Sequence, residues 1–400
     1  MAKKTGRRRQ EAPQQPATFG GPLADYSDGL FGYLQRADQR RWAEAYLRGL
    51  LATPGKKSLR RMAETVSASP TAAQSLRQFL NASPWDWAPA RHEVIRRVGR
   101  ALPVRAWSVD TVFMPKRGDH SVGVHRTFVP VAGRAFNCQQ GVGIFLATDR
   151  GSVAADWRLV LPPDWTDDPA RRRQARIPDA AEPQSAGDCA LDLVLSLAAQ
   201  VSHPLPPIVV DLPGSSDTLT ALRGLGARDQ KFVLAVPAGL HVEPVAPSAD
   251  CGWRPEQPGL TTLPVGELLR RTGRRRLHAA FEHRHGLPVR SVRVASSTAR
   301  LAGPGPCFPD NGQPVLRFFV THLPTSPGRI WATNALHCRV DALLDLVRLQ
   351  PGAADSIRMM SDEHGLLDFE GRSFPGWHHH MTLVSAAHAY RRLGPASSEA

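Results

Sequence analysis

Apolar residues recur at helical spacing through the first quarter of the chain, with arginines at many of the positions between them. The spacing continues from Phe31 through LRRMAETV and AAQSLRQFL and ends at Pro84. Between Phe31 and Leu51 the apolar positions are Leu34, Trp42, Tyr46, Leu47 and Leu50. The pattern predicts a small N-terminal helical domain, which is either a DNA-binding module or a bundle whose basic faces are simply solvated.

The pattern changes to apolar, β-branched runs at Ala106. AWSVDTVFM, HRTFVPVAG, AFNCQQGVGIFLAT and ADWRLVLP predict three or four strands joined by turns at Gly118, Gly133 and Gly151. A basic loop follows, and ALDLVLSLAAQVS restores helical spacing. PPIVVDLPG, SSDTLTALRGLGA and KFVLAVPA then give the strand, helix, strand order of a parallel unit.

Short strands rich in Pro and Gly follow from about Pro244, and helical spacing returns at Asp341. A chain of 400 residues is long enough for two or three domains. The predicted segments are a disordered basic arm at 1–20, the helical domain at 21–95, the first part of the core at 96–243, a largely β insertion at 244–340, C-terminal core helices at 341–394 and a tail at 395–400.

Two aspartates stand out on the apolar strands. Asp110 interrupts AWSVDTVFMPKRG, where a buried carboxylate must be solvated, paired or bound, unless it is only a turn residue at the end of a strand. Asp211 ends the first strand of the parallel unit, where α/β sheets commonly place functional groups. The order of elements is that expected of an α/β fold with a ribonuclease-H-like nuclease core. Such cores bring carboxylates together to hold two divalent ions, because Mg²⁺ prefers oxygen ligands.

The chain resembles a known family at several quoted stretches. RADQRRWAEAYLRGLL, MPKRGDHSVGV, NCQQGVGIFLAT, ADWRLVLP and FEGRSFPGWHHHMTLVSAAHAY are similar to the insertion-sequence 701 type of DDE transposase, over residues from about 31 to 393. The resemblance implies a ribonuclease-H-like core interrupted by a β-rich insertion, and Mg²⁺ or Mn²⁺ as cofactor. It further implies double-stranded DNA, in particular element ends, as partner, and a homodimer as a possible assembly. Asp110 and Asp211 match the first and second catalytic, metal-binding carboxylates.

At the position of the family's third carboxylate, this chain departs from the family pattern. Counting back without gaps from FEGR places Ala354 where the family has glutamate and Ser361 where it has lysine. Asp355 is the nearest acidic residue and the expected substitute as catalytic metal ligand, but one position turns a helical side chain by about 100°. The resemblance thus predicts a DDE protein with impaired strand cleavage and transfer, or a non-enzymatic DNA-binding protein derived from a transposase. A protein-interaction scaffold is the third hypothesis.

The net charge of +14 favours a polyanionic partner, most simply nucleic acid. Lys116 and Arg117 follow the first core strand and are expected either to contact DNA phosphates or to lie in a solvated turn. The densest basic loop holds Arg171, Arg172, Arg173 and Arg176. Its arginines are expected to contact DNA, or alternatively to form salt bridges with Asp167, Asp168 or Asp179.

Other candidate sites carry less weight. His378, His379 and His380 are consecutive on a helix and point in three directions, so a structural role is expected. Trp85 and Trp87 are expected in the core. Five scattered cysteines without a CxxC pair favour a reducing cytoplasm. We expect a soluble protein without a secretory signal, since no apolar run reaches about 18 residues. Motifs for nucleotide hydrolysis, dinucleotide redox and α/β-hydrolase chemistry are missing from the sequence.

Overall fold

The computed structural model describes residues 21–201, 204–245, 262–275, 277–282, 290–302, 314–323 and 326–394. The predicted basic arm and C-terminal tail lie outside the described residues. In the part of the chain that the structure describes, no helix combines the length and apolarity that a membrane span requires.

Helices form the N-terminal part of the chain. They are α1 (Pro22–Phe31), α2 (Ala37–Ala52), α3 (Leu59–Val66), α4 (Ala72–Asn81) and α5 (Ala88–Ala101). Ser58 caps α3 by accepting a hydrogen bond from the Arg61 backbone N–H at 3.4 Å. The proline in the first turn of α5 lacks only an N–H that would be unpaired there. Helices therefore occupy the segment 21–95, and the last of them runs to Ala101.

The central sheet begins with β1 (Ala106–Pro115), β2 (His125–Val129), β3 (Arg134–Thr148), β4 (Gly151–Leu159), β5 (Ile208–Val210) and β6 (Phe232–Val236). β4, β3, β1, β5 and β6 lie side by side in that order, and β2 pairs with the first residues of β3. β1, β3 and β4 are antiparallel, whereas β1, β5 and β6 are parallel. This order and these directions confirm the prediction of an α/β fold with a ribonuclease-H-like core.

Four helices connect the later core strands. They are α6 (Pro163–Thr166), α7 (Pro169–Ala175), α8 (Ala186–Ala198) and α9 (Ser215–Gly226). Ser185 and Asp188 form a capping box at the start of α8. α9 joins β5 to β6 as predicted for the parallel unit. The predicted basic loop is partly helical, because Asp168 caps α7 through the backbone N–H groups of Ala170 and Arg171.

The β-rich insertion continues the core sheet. Its elements are β7 (His241–Pro244), β8 (Leu263–Pro264), α10 (Val265–Arg275), β9 (His278–Glu282), β10 (Arg290–Leu301), β11 (Leu316–Leu323) and β12 (Ser326–Thr333). β12 pairs antiparallel with β6, with Ile330 opposite Val236, and β11, β10, β7 and β8 follow in order. β9 pairs with β10. The last strand of this segment, β12, therefore lies against β6 at the edge of the core strands.

Three helices follow: α11 (Val340–Val347), α12 (Pro351–His364) and α13 (Phe374–Leu393). α13 is buried along most of its length and packs against α2, α4, α5, α12 and β4. The ring nitrogens of His379 lie 2.8 Å from the backbone oxygens of Leu80 and Trp85. Trp85 stacks on His379 and Trp87 stacks on His378. These contacts confirm the structural role expected for the histidines and the core position of the tryptophans.

Candidate active site

Asp110, in the middle of β1, lies next to Asp211, which directly follows the end of the parallel strand β5. Val109 of β1 is opposite Val210 of β5, so the next residues along the two strands are the two aspartates. The backbone N–H of Asp211 donates to the Val109 oxygen at 3.4 Å. The short apolar strand β5 ends at Val210, and Asp211 is therefore presented at the carboxyl edge of the sheet.

Both aspartates line a cleft of about 670 Å³. The other walls come from the segment at the start of α9, from β12 and from the first turns of α12. Among the lining residues are Leu212, Gly214, Ser215 and Thr218 near α9, Arg329 on β12, and Gln350, Ala354 and Ile357 at α12. The cleft is thus formed by core strands together with β12, the last strand before the C-terminal helices.

Arg329 is the residue of this site that sequence analysis missed. Its guanidinium donates a hydrogen bond to the carboxylate of Asp211, 118 positions away in the chain. Asp211 is largely buried, with 11% of its side chain exposed, whereas 56% of the Arg329 side chain is exposed. No local pattern marks Arg329, because the pairing of β12 with β6 alone brings it here.

Burial governs the electrostatics of the aspartate pair. Burial raises the pKa of Asp110 to about 7, and the charge of Asp211 adds to this increase. Two groups oppose it: the backbone N–H of Thr111, which donates to the Asp110 carboxylate at 2.7 Å, and the charge of Arg329. Burial also raises the pKa of Asp211, and Arg329 opposes this shift. Near neutral pH the three groups together therefore carry little net negative charge.

α12 offers no carboxylate to the cleft. Gln350, Ala354 and Ile357, spaced by four and three positions, lie on one face and line the cleft. Asp355 lies one position around the helix, where its side chain is 59% exposed and pairs with Arg358 at 2.9 Å. The structure therefore does not bring Asp355 to Asp110 and Asp211. Ala354, where the resemblance places a glutamate, lines the same cleft as the two aspartates.

The residues present fit a pair of divalent ions poorly. Among the described residues there is no group of three or more His, Cys, Asp or Glu side chains placed to hold a metal ion. A hard cation needs several oxygen ligands and enough negative charge around them. Here Asp211 is already paired with a guanidinium, and burial favours the protonated form of Asp110.

Three of the predicted DNA-binding residues serve the fold. The ammonium of Lys116 donates to the Phe369 backbone oxygen at 2.6 Å, and burial lowers the pKa of Lys116 to about 8. Arg172 donates to four backbone oxygens, those of Thr166, Pro178, Asp179 and Ala181, at 2.7–2.9 Å. Arg176 donates to the Ser373 hydroxyl at 3.0 Å.

The remaining predicted DNA-binding residues are Arg117, Arg171 and Arg173. Arg117 and Arg173 are exposed. Arg171 is half-buried, lies over the Trp165 ring and has carboxylates of Asp119 and Asp168 at 4.0 and 3.9 Å. A guanidinium at these distances is only loosely paired, so Arg171 can still turn toward a phosphate.

A family model described as DDE superfamily endonuclease matches residues 29–283, more than half of the chain. The chain belongs to this family. The match agrees with the predicted transposase-type family, whose endonuclease domains have a ribonuclease-H-like fold and generally use divalent metal ions. No curated protein matches the chain. The matched segment of this DDE protein includes Asp110 and Asp211 and ends before Arg329 and Ala354.

Proposed function

We propose that the protein is a cytoplasmic DNA-binding protein of the insertion-sequence 701 transposase type, whose cleft has lost efficient DNA cleavage and strand transfer. Asp110 and Asp211 keep the positions of the first two metal-binding carboxylates. The observation that carries the proposal is the Arg329–Asp211 pair in the cleft that Ala354 also lines. A guanidinium there neutralises the charge that divalent ions would otherwise neutralise.

The chemistry of the family depends on that charge. Two divalent ions, held by clustered carboxylates, activate the attacking oxygen and stabilise the leaving oxygen of phosphoryl transfer. With one carboxylate paired to a guanidinium and the pKa of the other raised to about 7 by burial, the cleft attracts such ions weakly. Double-stranded DNA remains the partner, because the net charge of +14 favours binding to phosphates whether or not the cleft holds metal ions.

DNA binding is expected to weaken steeply as salt increases. If about six phosphates are neutralised, the affinity should fall by about a thousandfold between 50 and 200 mM salt. Arg173→Ala should remove one contact, lowering the slope of log affinity against log salt by about one without changing which sequences are preferred. Fluorescence anisotropy with labelled duplexes at several salt concentrations measures both effects.

Arg172→Ala is the matched control for Arg173→Ala. The Arg172 guanidinium donates four hydrogen bonds to backbone oxygens, so its loss should lower the free energy of unfolding by about 2 kcal/mol. Arg173→Ala should leave the melting temperature unchanged, since that side chain is exposed. DNA binding that is absent at low salt, or insensitive to salt, would contradict the proposed function.

A further inference from the structure

Phe128 is the most exposed large apolar side chain among the residues that the structure describes, with 59% of its surface accessible. It lies on β2, which pairs with the beginning of β3 to form a hairpin. Its cross-strand neighbour is Ala135, whose methyl group is too small to cover a phenyl ring. The ring therefore stands uncovered on one face of the hairpin.

The same hairpin face carries hydrogen-bonding and charged groups suited to a nucleic acid. Arg126 is two positions before Phe128, is also exposed, and lies about 7 Å away along the strand on the same face. Asn137 is directly opposite Arg126. A guanidinium, an amide and a free aromatic ring are thus aligned on one surface.

The hairpin also reaches the cleft. The short helical turn Pro130–Ala132 follows β2, and Pro130 lines the cleft that holds Asp110 and Asp211. Gly133 completes the turn with φ at +63°, a conformation that glycine adopts without steric cost, and the chain returns along β3. DNA lying in the cleft would therefore pass close to the exposed face.

We propose that this face binds an unpaired base of a DNA end, which stacks on Phe128 while Arg126 contacts the adjacent phosphate. This inference rests on the proposed function. Aromatic side chains stack on bases of any sequence, and arginine supplies the backbone contact. One ring with one arginine is much smaller than the surface that a stable protein partner buries. The positive charge of the chain also favours DNA as the occupant.

The test compares two DNA molecules, a blunt duplex and the same duplex with a three-nucleotide unpaired end containing 2-aminopurine. Phe128→Ala should bind the duplex with the unpaired end about tenfold more weakly than the parent, and the blunt duplex within about twofold. The quenching of 2-aminopurine that accompanies stacking should be lost. Phe128→Trp should restore both the affinity and the quenching.

Phe281→Ala is the matched control, since Phe281 is 53% exposed but lies on β9, at the far end of the same sheet. It should bind both DNA molecules as the parent does. If the parent binds the blunt duplex and Phe128→Ala weakens neither complex, or weakens both equally, the inference is overturned and the proposed function stands. A parent that binds neither DNA at low salt overturns both.

Discussion

Arg329→Ala combined with Ala354→Glu is expected to make the cleft bind Mn²⁺ about a hundredfold more tightly than the parent does. The first change removes a cation from Asp211, and the second adds a carboxylate at a position that lines the same cleft. Each change of charge contributes about 1–2 kcal/mol to the affinity for a divalent ion in a partly solvated cleft. The electron paramagnetic resonance signal of free Mn²⁺ measures the binding.

The control for this variant places the glutamate at position 355 of the same helix, and not at position 354. Arg329→Ala combined with Asp355→Glu keeps a carboxylate at position 355, which is exposed and paired with Arg358. It should gain only the part of the affinity that comes from removing Arg329. Equal gains in the two double variants would show that Ala354 is not the position that completes the carboxylate set.

Asp110→Asn is expected to remove one contribution to the pH dependence of stability, namely the loss of stability that Asp110 causes as pH rises from about 4 to about 7. Burial raises the pKa of Asp110 from 3.8 to about 7, so over this range the folded protein holds a proton that the unfolded chain has released. The contribution of Asp110 to the free energy of unfolding therefore falls with rising pH, by about 4 kcal/mol at most. Buried histidines such as His379 and His380, whose pKa burial lowers to about 4, contribute in the opposite direction, so the effect of Asp110 is read as the difference between variant and parent. Asparagine has nearly the same shape and no proton to lose, so the variant should be the more stable protein at pH 8.

Urea unfolding at pH 4.5, 6 and 8 measures this difference, and Asp355→Asn is its control. The Asp355 side chain is exposed, so its replacement should leave the pH dependence of the parent in place. An Asp110→Asn variant whose free energy of unfolding changes with pH in the same way as that of the parent would contradict the assignment of the effect to Asp110.

The adjacency of the two aspartates could be predicted from the order of the elements and the family resemblance. Antiparallel strands followed by a parallel strand, helix, strand unit are the order of a ribonuclease-H-like core, in which β1 and β5 are neighbours. The position of Ala354 in the cleft follows from helical spacing and the same resemblance. Both predictions use segments whose pattern is visible in the sequence, although Asp110 and Asp211 are far apart in the chain.

Arg329 could not be predicted, because its place depends on the register between distant strands. A shift of one residue between β12 and β6 would turn the Arg329 side chain to the other face of the sheet. Composition also does not show which groups the basic residues contact. Arg172 and Arg173 are neighbours in one basic run, yet the first donates to backbone oxygens of its own loop and the second faces solvent.

The apolar spacing from Phe31 to Leu51 also gives no sign of the break between α1 and α2. The structure ends α1 at Phe31 and begins α2 at Ala37, and Leu34 in the connection is buried like its helical neighbours. Because both helices and the connection face one core, the apolar spacing continues across the break. Periodicity reports which side of the chain is buried, and the helix ends depend on turns that it does not resolve.

The most direct test of the account is cleavage by the unmodified protein of the DNA that flanks its own gene, with Mg²⁺ or Mn²⁺ and with a chelator as control. The duplex should first be shown to bind the protein, so that access to the cleft is not in question. The account predicts binding without cutting above the chelator control, because Arg329 holds Asp211 and Ala354 supplies no ligand. Metal-dependent cleavage that disappears in Asp110→Ala would contradict it.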